Sequence, residues 1–278
     1  MPGAGGLDKL VLTAADGARA ELYLHGAQVT SWIPAGESLD RLFLSSRSQY
    51  KPRVAIRGGV PVSFPQFAAE GPLPNHGFAR VSTWSLVRAG QEPFGTARAV
   101  VRLEDAEATR RLWPYPFVAE ITVSLSGRAL EVSFRVTNTG STGFTYTAAL
   151  HTYLRVGDVR QTVVRGLRNA RYRDKVLGAD GVVESSPELR ITGQIDRVYY
   201  SASDDLEVCE PLRTTSVRAT GFPDTVVWNP GEQPGAALND LEPGGYARML
   251  CVEAAAVRAP VKLEPGERWQ GSQTLTAG

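Results

Sequence analysis

Ile121-Thr122-Val123-Ser124-Leu125-Ser126-Gly127-Arg128-Ala129-Leu130-Glu131-Val132-Ser133-Phe134-Arg135-Val136-Thr137 is the stretch that decides the fold. Apolar and polar residues alternate on both sides of Ser126-Gly127-Arg128. That period of two is the mark of half-buried strands, and the central triplet is a turn signal, so the segment reads as a β-hairpin. Further strand-like runs lie at 20–24, 100–103, 146–156, 161–164, 225–228 and 248–257. Gly and Pro clusters separate them, among them Gly71-Pro72-Leu73-Pro74, Asn229-Pro230-Gly231 and Pro243-Gly244-Gly245. Proline would break long helices, and its 18 copies fall chiefly in these gaps. Only 105–113 and 234–242 suggest short helices. The expected fold is all-β, a large antiparallel β-sandwich with few short helices, built as a single domain over 1–278.

Bulk properties fit a globular protein. The hydrophobic fraction is 42% and the charged fraction 21%, which argues against disorder. Thirty basic against 29 acidic residues leave a net charge of +1, so neither nucleic acid nor membrane is an expected partner. The chain has two cysteines, Cys209 and Cys251, with no CxxC spacing. The first residues lack the basic and apolar regions of a secretory signal, and no apolar run is long enough to span a bilayer. A cytoplasmic monomer is expected.

Four segments carry chemistry. Arg57 precedes Gly58-Gly59, where glycine lets the chain turn sharply and approach a ligand; a surface Arg before a tight turn is the alternative. Asn75, His76 and Arg80 share one loop, Leu73-Pro74-Asn75-His76-Gly77-Phe78-Ala79-Arg80, as binding groups or as turn-stabilising ones. His151 lies in the apolar run Ala148-Ala149-Leu150-His151-Thr152-Tyr153-Leu154-Arg155-Val156, where a strand would put it on one face with Ala149 and Tyr153. Glu253 is the sole charge in Met249-Leu250-Cys251-Val252-Glu253-Ala254-Ala255-Ala256-Val257. Such a carboxylate must be paired, neutralised or used, because burying it ionised and alone is costly. Cys251 shares its face and reads as core rather than nucleophile.

Together these supply an imidazole, a carboxyl and several guanidiniums, a set suited to acid–base chemistry on an anionic substrate. There is no phosphate-binding P-loop, no dinucleotide fingerprint, no HExxH and no GxSxG elbow. Three histidines and two cysteines at scattered positions give no zinc spacing, so neither metal nor cofactor is expected.

At these segments the chain resembles the hexose-6-phosphate mutarotase branch of the aldose 1-epimerase family. The motifs Arg57-Gly58-Gly59, His76-Gly77-Phe78-Ala79-Arg80, Leu150-His151-Thr152-Tyr153, Ile195-Asp196-Arg197-Val198-Tyr199, Val226-Val227-Trp228-Asn229-Pro230 and Cys251-Val252-Glu253-Ala254 occur in the family's order. The resemblance runs from Gly26-Ala27-Gln28 to the closing strand at 269–274. It implies a galactose-mutarotase-like sandwich with an open cleft, acting on a hexose 6-phosphate as a glucose-6-phosphate 1-epimerase. It implies His151 and Glu253 as the catalytic pair, Arg57 and Arg80 on the phosphate, and Asp196 and His76 on the sugar. Asn75 departs from the branch, which commonly has Gln there, so the amide is one methylene shorter. Trp228 is either a stacking platform for the sugar or core, and Asp196 either binds hydroxyls or pairs with Arg197.

Ring opening needs a proton taken from the C1 hydroxyl and one given to the ring oxygen. Glu253, with its proton affinity raised by burial, is the expected base; a protonated His151 is the expected acid, kept charged by a nearby anion, Glu253 or the substrate phosphate, since burial alone would leave it neutral. An aldose 1-epimerase acting on unphosphorylated hexoses and a non-catalytic carbohydrate-binding sandwich are the alternatives.

Overall fold

The computed structural model describes residues 1–201 and 205–278, among which the chain forms twenty strands and two short α-helices. β1 (Lys9–Thr13), β2 (Arg19–Tyr23) and β3 (Gln28–Ile33) make a three-stranded antiparallel meander. There follow β4 (Val62–Ser63), β5 (Ser85–Gln91), β6 (Ala97–Glu104), α1 (Glu107–Leu112), β7 (Phe117–Ser126) and β8 (Ala129–Asn138). The middle of the chain holds β9 (Phe144–Leu150), β10 (Tyr153–Arg155), β11 (Val163–Arg165), β12 (Arg171–Asp174), β13 (Ala179–Val183) and β14 (Glu188–Arg190). The last part holds β15 (Ile195–Tyr200), β16 (Asp205–Cys209), β17 (Thr214–Thr220), β18 (Asp224–Asn229), α2 (Glu232–Ala236), β19 (Met249–Leu263) and β20 (Arg268–Ala277).

Two large antiparallel sheets dominate. One runs β13-β12-β15-β18-β19-β9-β4, with β10 also on β19; the other runs β14-β11-β16-β17-β20-β8-β7-β6-β5. The core forms between them. Ile121, Val123, Phe134 and Val136 of the second sheet join Leu150, Val227, Leu250, Val252 and Ala254 of the first in one apolar cluster. Each of the Val, Leu, Ile and Phe side chains among them stabilises the fold by about 1.5–3 kcal/mol through burial. The sandwich expected from the sequence is the one observed. No helix among the described residues is long and apolar enough to cross a membrane.

The hairpin at 121–137 forms as read. Ser126 pairs with Ala129 across the two-residue turn Gly127-Arg128, with Gly127 at φ 56°. Other boundaries shift. The run at 146–156 divides into β9 and β10 at His151-Thr152, and β11 begins at Val163 after a 3-10 turn at Val159–Gln161. The 105–113 helix appears as α1. The one expected at 234–242 instead starts at Glu232, with Pro234 in the first turn, where a missing N–H costs no helical bond.

The face of the first sheet turned away from the core positions the functional groups. Along β19, Leu250, Val252, Ala254 and Ala256 point into the main core, so Cys251, Glu253 and Ala255 point to the other side. By the same alternation Val226 and Trp228 of β18, and Asp196 and Val198 of β15, share that outer face.

Candidate active site

Leu150 pairs with Ala254 and Tyr153 with Cys251 in one unbroken register, so His151 stands directly opposite Glu253 on the neighbouring strand. Cross-strand neighbours have Cβ atoms about 4.5–5.5 Å apart. That register brings His151 Nδ1 within 3.3 Å of Glu253 Oε1. The local chain break follows from a switch of partner: the His151 N–H donates to the Pro61 carbonyl at 2.9 Å, and the Thr152 N–H turns back to Leu150.

Both side chains are deeply set, His151 7% and Glu253 1% exposed. They are close but unbonded: His151 Nδ1 and Glu253 Oε2 are buried without hydrogen-bond partners among the described residues. Burial, and then the charge of Asp196, push the Glu253 carboxyl well above the ordinary carboxylate range. This agrees with the sequence expectation. For His151, burial opposes the charged form, as the sequence reading anticipated, so an acidic imidazolium needs a nearby anion. Burial first, then His76, Arg80 and Arg57, hold its proton affinity well below that of a free imidazole. Burial thus favours the uncharged form of each group, a carboxylic acid and a neutral imidazole.

A hollow of about 380 Å³ opens over this pair, and Arg57, Asn75, His76, Arg80, Asp196 and Trp228 all line it. Two hollows of about 770 and 790 Å³ lie elsewhere. In the first of these, Glu120 is neutralised by Arg102 and Arg135, and neither contains an imidazole. Chemistry, not volume, singles out the smaller one.

Arg57 is half-buried and anchored. Its Nε and Nη2 meet Asp240 at 3.2 and 3.1 Å, and its Nη1 donates to the Tyr153 hydroxyl at 3.0 Å. The glycines after it serve a different purpose from the one expected. A Cβ on Gly58 would lie 2.3 Å from the Phe43 carbonyl oxygen, and one on Gly59 2.1 Å from that of Val29. They admit neighbouring backbone rather than ligand. Arg80 donates to the Asn75 backbone carbonyl at 2.7 Å and has no carboxylate partner among the described residues. Asn75 thus holds the loop through its main chain, and its side chain is exposed at the cleft edge.

His76 adopts a left-handed backbone, φ 63°. The Ala68 N–H reaches its Nδ1 at 3.3 Å and the Ser63 hydroxyl lies 2.8 Å from the same atom. A backbone N–H can only donate, so Nδ1 carries the lone pair and the proton is assigned to Nε2. Burial, with Arg80, Lys175 and Arg57 beside it, holds His76 down at about 3, so it is neutral. Asp196 does not pair with Arg197, which turns to Asp174 and Glu184 on the opposite face. It faces Lys175 at 3.7 Å. Trp228 packs edge-on to His151, with ring centroids 5.8 Å apart.

Sequence reasoning missed three residues of this site. Lys175 lines the hollow, and Asp240 and Tyr153 stand behind Arg57. Tyr153 shares the His151 face by simple alternation, as read from the sequence, but its bond to Arg57 is non-local. Lys175 and Asp240 carry no local signal. Among the described residues one set of donors is close enough to share a metal ion: His151, Cys251 and Glu253, within 4.8 Å of one another. The Cys251 thiol would have to ionise to serve, and burial pushes its proton affinity well up.

Comparison with known proteins gives a consistent result. A family model described as aldose 1-epimerase matches residues 8–276. A protein from Cenchrus ciliaris, provisionally described as a glucose-6-phosphate 1-epimerase, is 39% identical over 98% of this chain and 85% of its own length. A protein from Escherichia coli K12 with the same provisional description is 36% identical over 90% of this chain and 84% of its own. The crystal structure of YeaD from Salmonella typhimurium, provisionally described as a mutarotase, matches with a TM-score of 0.89 at 31% identity. That match covers 98% of this chain and 90% of the other.

Proposed function

The chain belongs to the aldose 1-epimerase family, and from that premise we propose that it is a glucose-6-phosphate 1-epimerase, an isomerase that interconverts the α and β anomers of a hexose 6-phosphate. The observation that carries this reading is the placing of an imidazole opposite a carboxyl on adjacent strands, 3.3 Å apart, in a hollow that also presents Arg57 and Arg80.

In the productive state the one mobile proton of the pair is on His151 and Glu253 is a carboxylate. Glu253 takes the C1 hydroxyl proton, the freed electron pair forms the carbonyl, and the C1–ring oxygen bond breaks. His151 gives its proton to the departing ring oxygen. Rotation about C1–C2 presents the other aldehyde face, and the reverse transfers close the ring. One proton is taken and one returned. Each positioned acid or base contributes about 10²–10⁴ in rate.

Arg57 and Arg80 hold the phosphate. Three N–H groups of Arg57 already face Asp240 and Tyr153, leaving donors for a phosphate, and Arg80 has no acidic partner among the described residues to give up. Neutral His76 donates from Nε2 to a sugar hydroxyl, Asp196 accepts from others, and Trp228 lies along an apolar sugar face. One chain supplies every group, so a monomeric, single-domain enzyme suffices. Its two unpaired cysteines suit the reducing cytoplasm.

A side-by-side rate comparison tests the assignment. Anomerisation of glucose 6-phosphate and of glucose, followed by polarimetry, should give a kcat/KM at least about 30-fold higher for the phosphate ester, as expected for about 2 kcal/mol or more from a buried charged contact. Equal values would favour an epimerase of neutral sugars, and no enzyme-dependent rate on either would favour a non-catalytic binder.

A further inference from the structure

Arg57, Tyr153 and His151 form one continuous stack between the phosphate subsite and the acid. The Arg57 guanidinium donates to the Tyr153 hydroxyl at 3.0 Å, while Asp240 fixes its other edge. The Tyr153 ring lies flat against the His151 ring, with centroids 4.8 Å apart and planes within 9°. Trp228 packs edge-on against both rings, at 5.8 and 6.0 Å. Tyr153 is buried and locked, so a change at Arg57 meets a rigid ring rather than a mobile side chain.

The charges around His151 give this stack a purpose. Glu253 and Cys251 face it from β19, Tyr153 from β10, and His76 with Arg80 from the loop after β4. Arg57 lies on the segment before β4, and Asp196 and Lys175 also line the hollow. The two guanidiniums both disfavour an imidazolium. A phosphate dianion seated on them cancels that field. The proton can then cross the 3.3 Å from Glu253 to His151: the carboxyl O–H breaks, the imidazole N–H forms, and no proton enters or leaves. The result is the carboxylate base and imidazolium acid that ring opening needs.

Resting on the glucose-6-phosphate reading above, we propose that the substrate's phosphate is an activator as well as a handle: by occupying Arg57 and Arg80 it readies the His151–Glu253 pair for proton transfer, with Tyr153 as the positioning residue that links the two. A sugar without phosphate then meets an enzyme whose acid is switched off, even when the pyranose is bound. Discrimination between the substrates appears in kcat as well as in KM.

The phosphate can be supplied separately. Enzyme-dependent mutarotation of unphosphorylated glucose is measured with increasing inorganic phosphite dianion, after subtracting the phosphite-catalysed rate without enzyme. Phosphite inhibition of glucose 6-phosphate turnover is measured in parallel. General acid catalysis contributes about 10²–10⁴ in rate, so recovering part of it should raise the glucose rate saturably by about tenfold or more. Tyr153→Phe keeps the ring and removes the hydroxyl. It should weaken phosphite activation and lower kcat for glucose 6-phosphate, while KM changes little because Asp240 still holds Arg57. A purely structural Tyr153 would lower thermal stability and leave the activation ratio intact. A flat glucose rate overturns the proposal, whether or not phosphite inhibits the phosphorylated substrate. Undiminished activation in a folded Tyr153→Phe variant overturns the role of Tyr153. Loss of the functional reading itself would look different, as an absence of glucose 6-phosphate turnover.

Discussion

His76 shows how a single side chain is tuned by its position. Its ring lies 5.2 Å from that of His151 and edge-on to Phe67, with arginines and Lys175 nearby. A positive charge there would repel its neighbours and lose its hydration, so the folded protein keeps it neutral down to about pH 3. In the unfolded chain the same group takes up a proton near 6.5. The unfolded state therefore binds more protons between these values. The stability this neutral group confers is fully present above about 6.5 and is lost as pH falls toward 3. Between pH 7 and 5 the loss amounts to about 2 kcal/mol. In thermal melts at pH 7 and pH 5, the wild-type Tm should fall by about 4 °C or more beyond the fall of a His76→Asn variant. Equal falls would mean that His76 accepts a proton in place. The residue type was legible in the sequence and this behaviour was not, because it depends first on burial and then on charges that include, besides nearby Arg80, Lys175 and Arg57, distant in the chain.

At the level of elements, the site is made by register. β9, β10 and β19 hold one antiparallel register through His151-Thr152, and that alone sets His151 against Glu253. Sequence periodicity could not supply this. From Met249 to Val257 every residue is buried, so both faces of β19 are apolar and alternation does not say which face Glu253 occupies. The hairpin of β7 and β8 was legible because part of its outer face is polar and its turn is local. The segment carrying Arg57 depends on close backbone crossing at Gly58 and Gly59. Gly59→Ala would place a Cβ 2.1 Å from the Val29 carbonyl oxygen at a φ of +63°, and should cost about 2–3 kcal/mol. Gly90→Ala, with nothing within 4 Å of its Cβ, is the control. Urea unfolding should show a lowered midpoint for Gly59→Ala alone. A Gly59→Ala midpoint matching the wild type would mean that the crossing can relax.

For the molecule as a whole, the two large sheets bury one face of the catalytic sheet and leave the other as a shallow hollow. Groups from residue 57 to residue 253 converge there, although in sequence they are scattered over most of the chain. The sequence motifs identified most of the members, while Tyr153, Asp240 and Lys175 were recognisable only once the strands were assembled. The near-neutral net charge of +1 gave no hint of the anion site, because 30 basic residues are almost matched by 29 acidic ones, and one of these, Asp240, pairs with Arg57 itself. One proton, shared by two side chains that the fold brings together, is the centre of the mechanism. Exchange between the C1 protons of the two glucose 6-phosphate anomers, followed by saturation-transfer NMR, reads that step directly. Wild-type protein should accelerate the exchange, and a folded Glu253→Gln variant should lose about 10²-fold or more of the acceleration. A folded Glu253→Gln variant that exchanges the anomers at the wild-type rate would contradict the account.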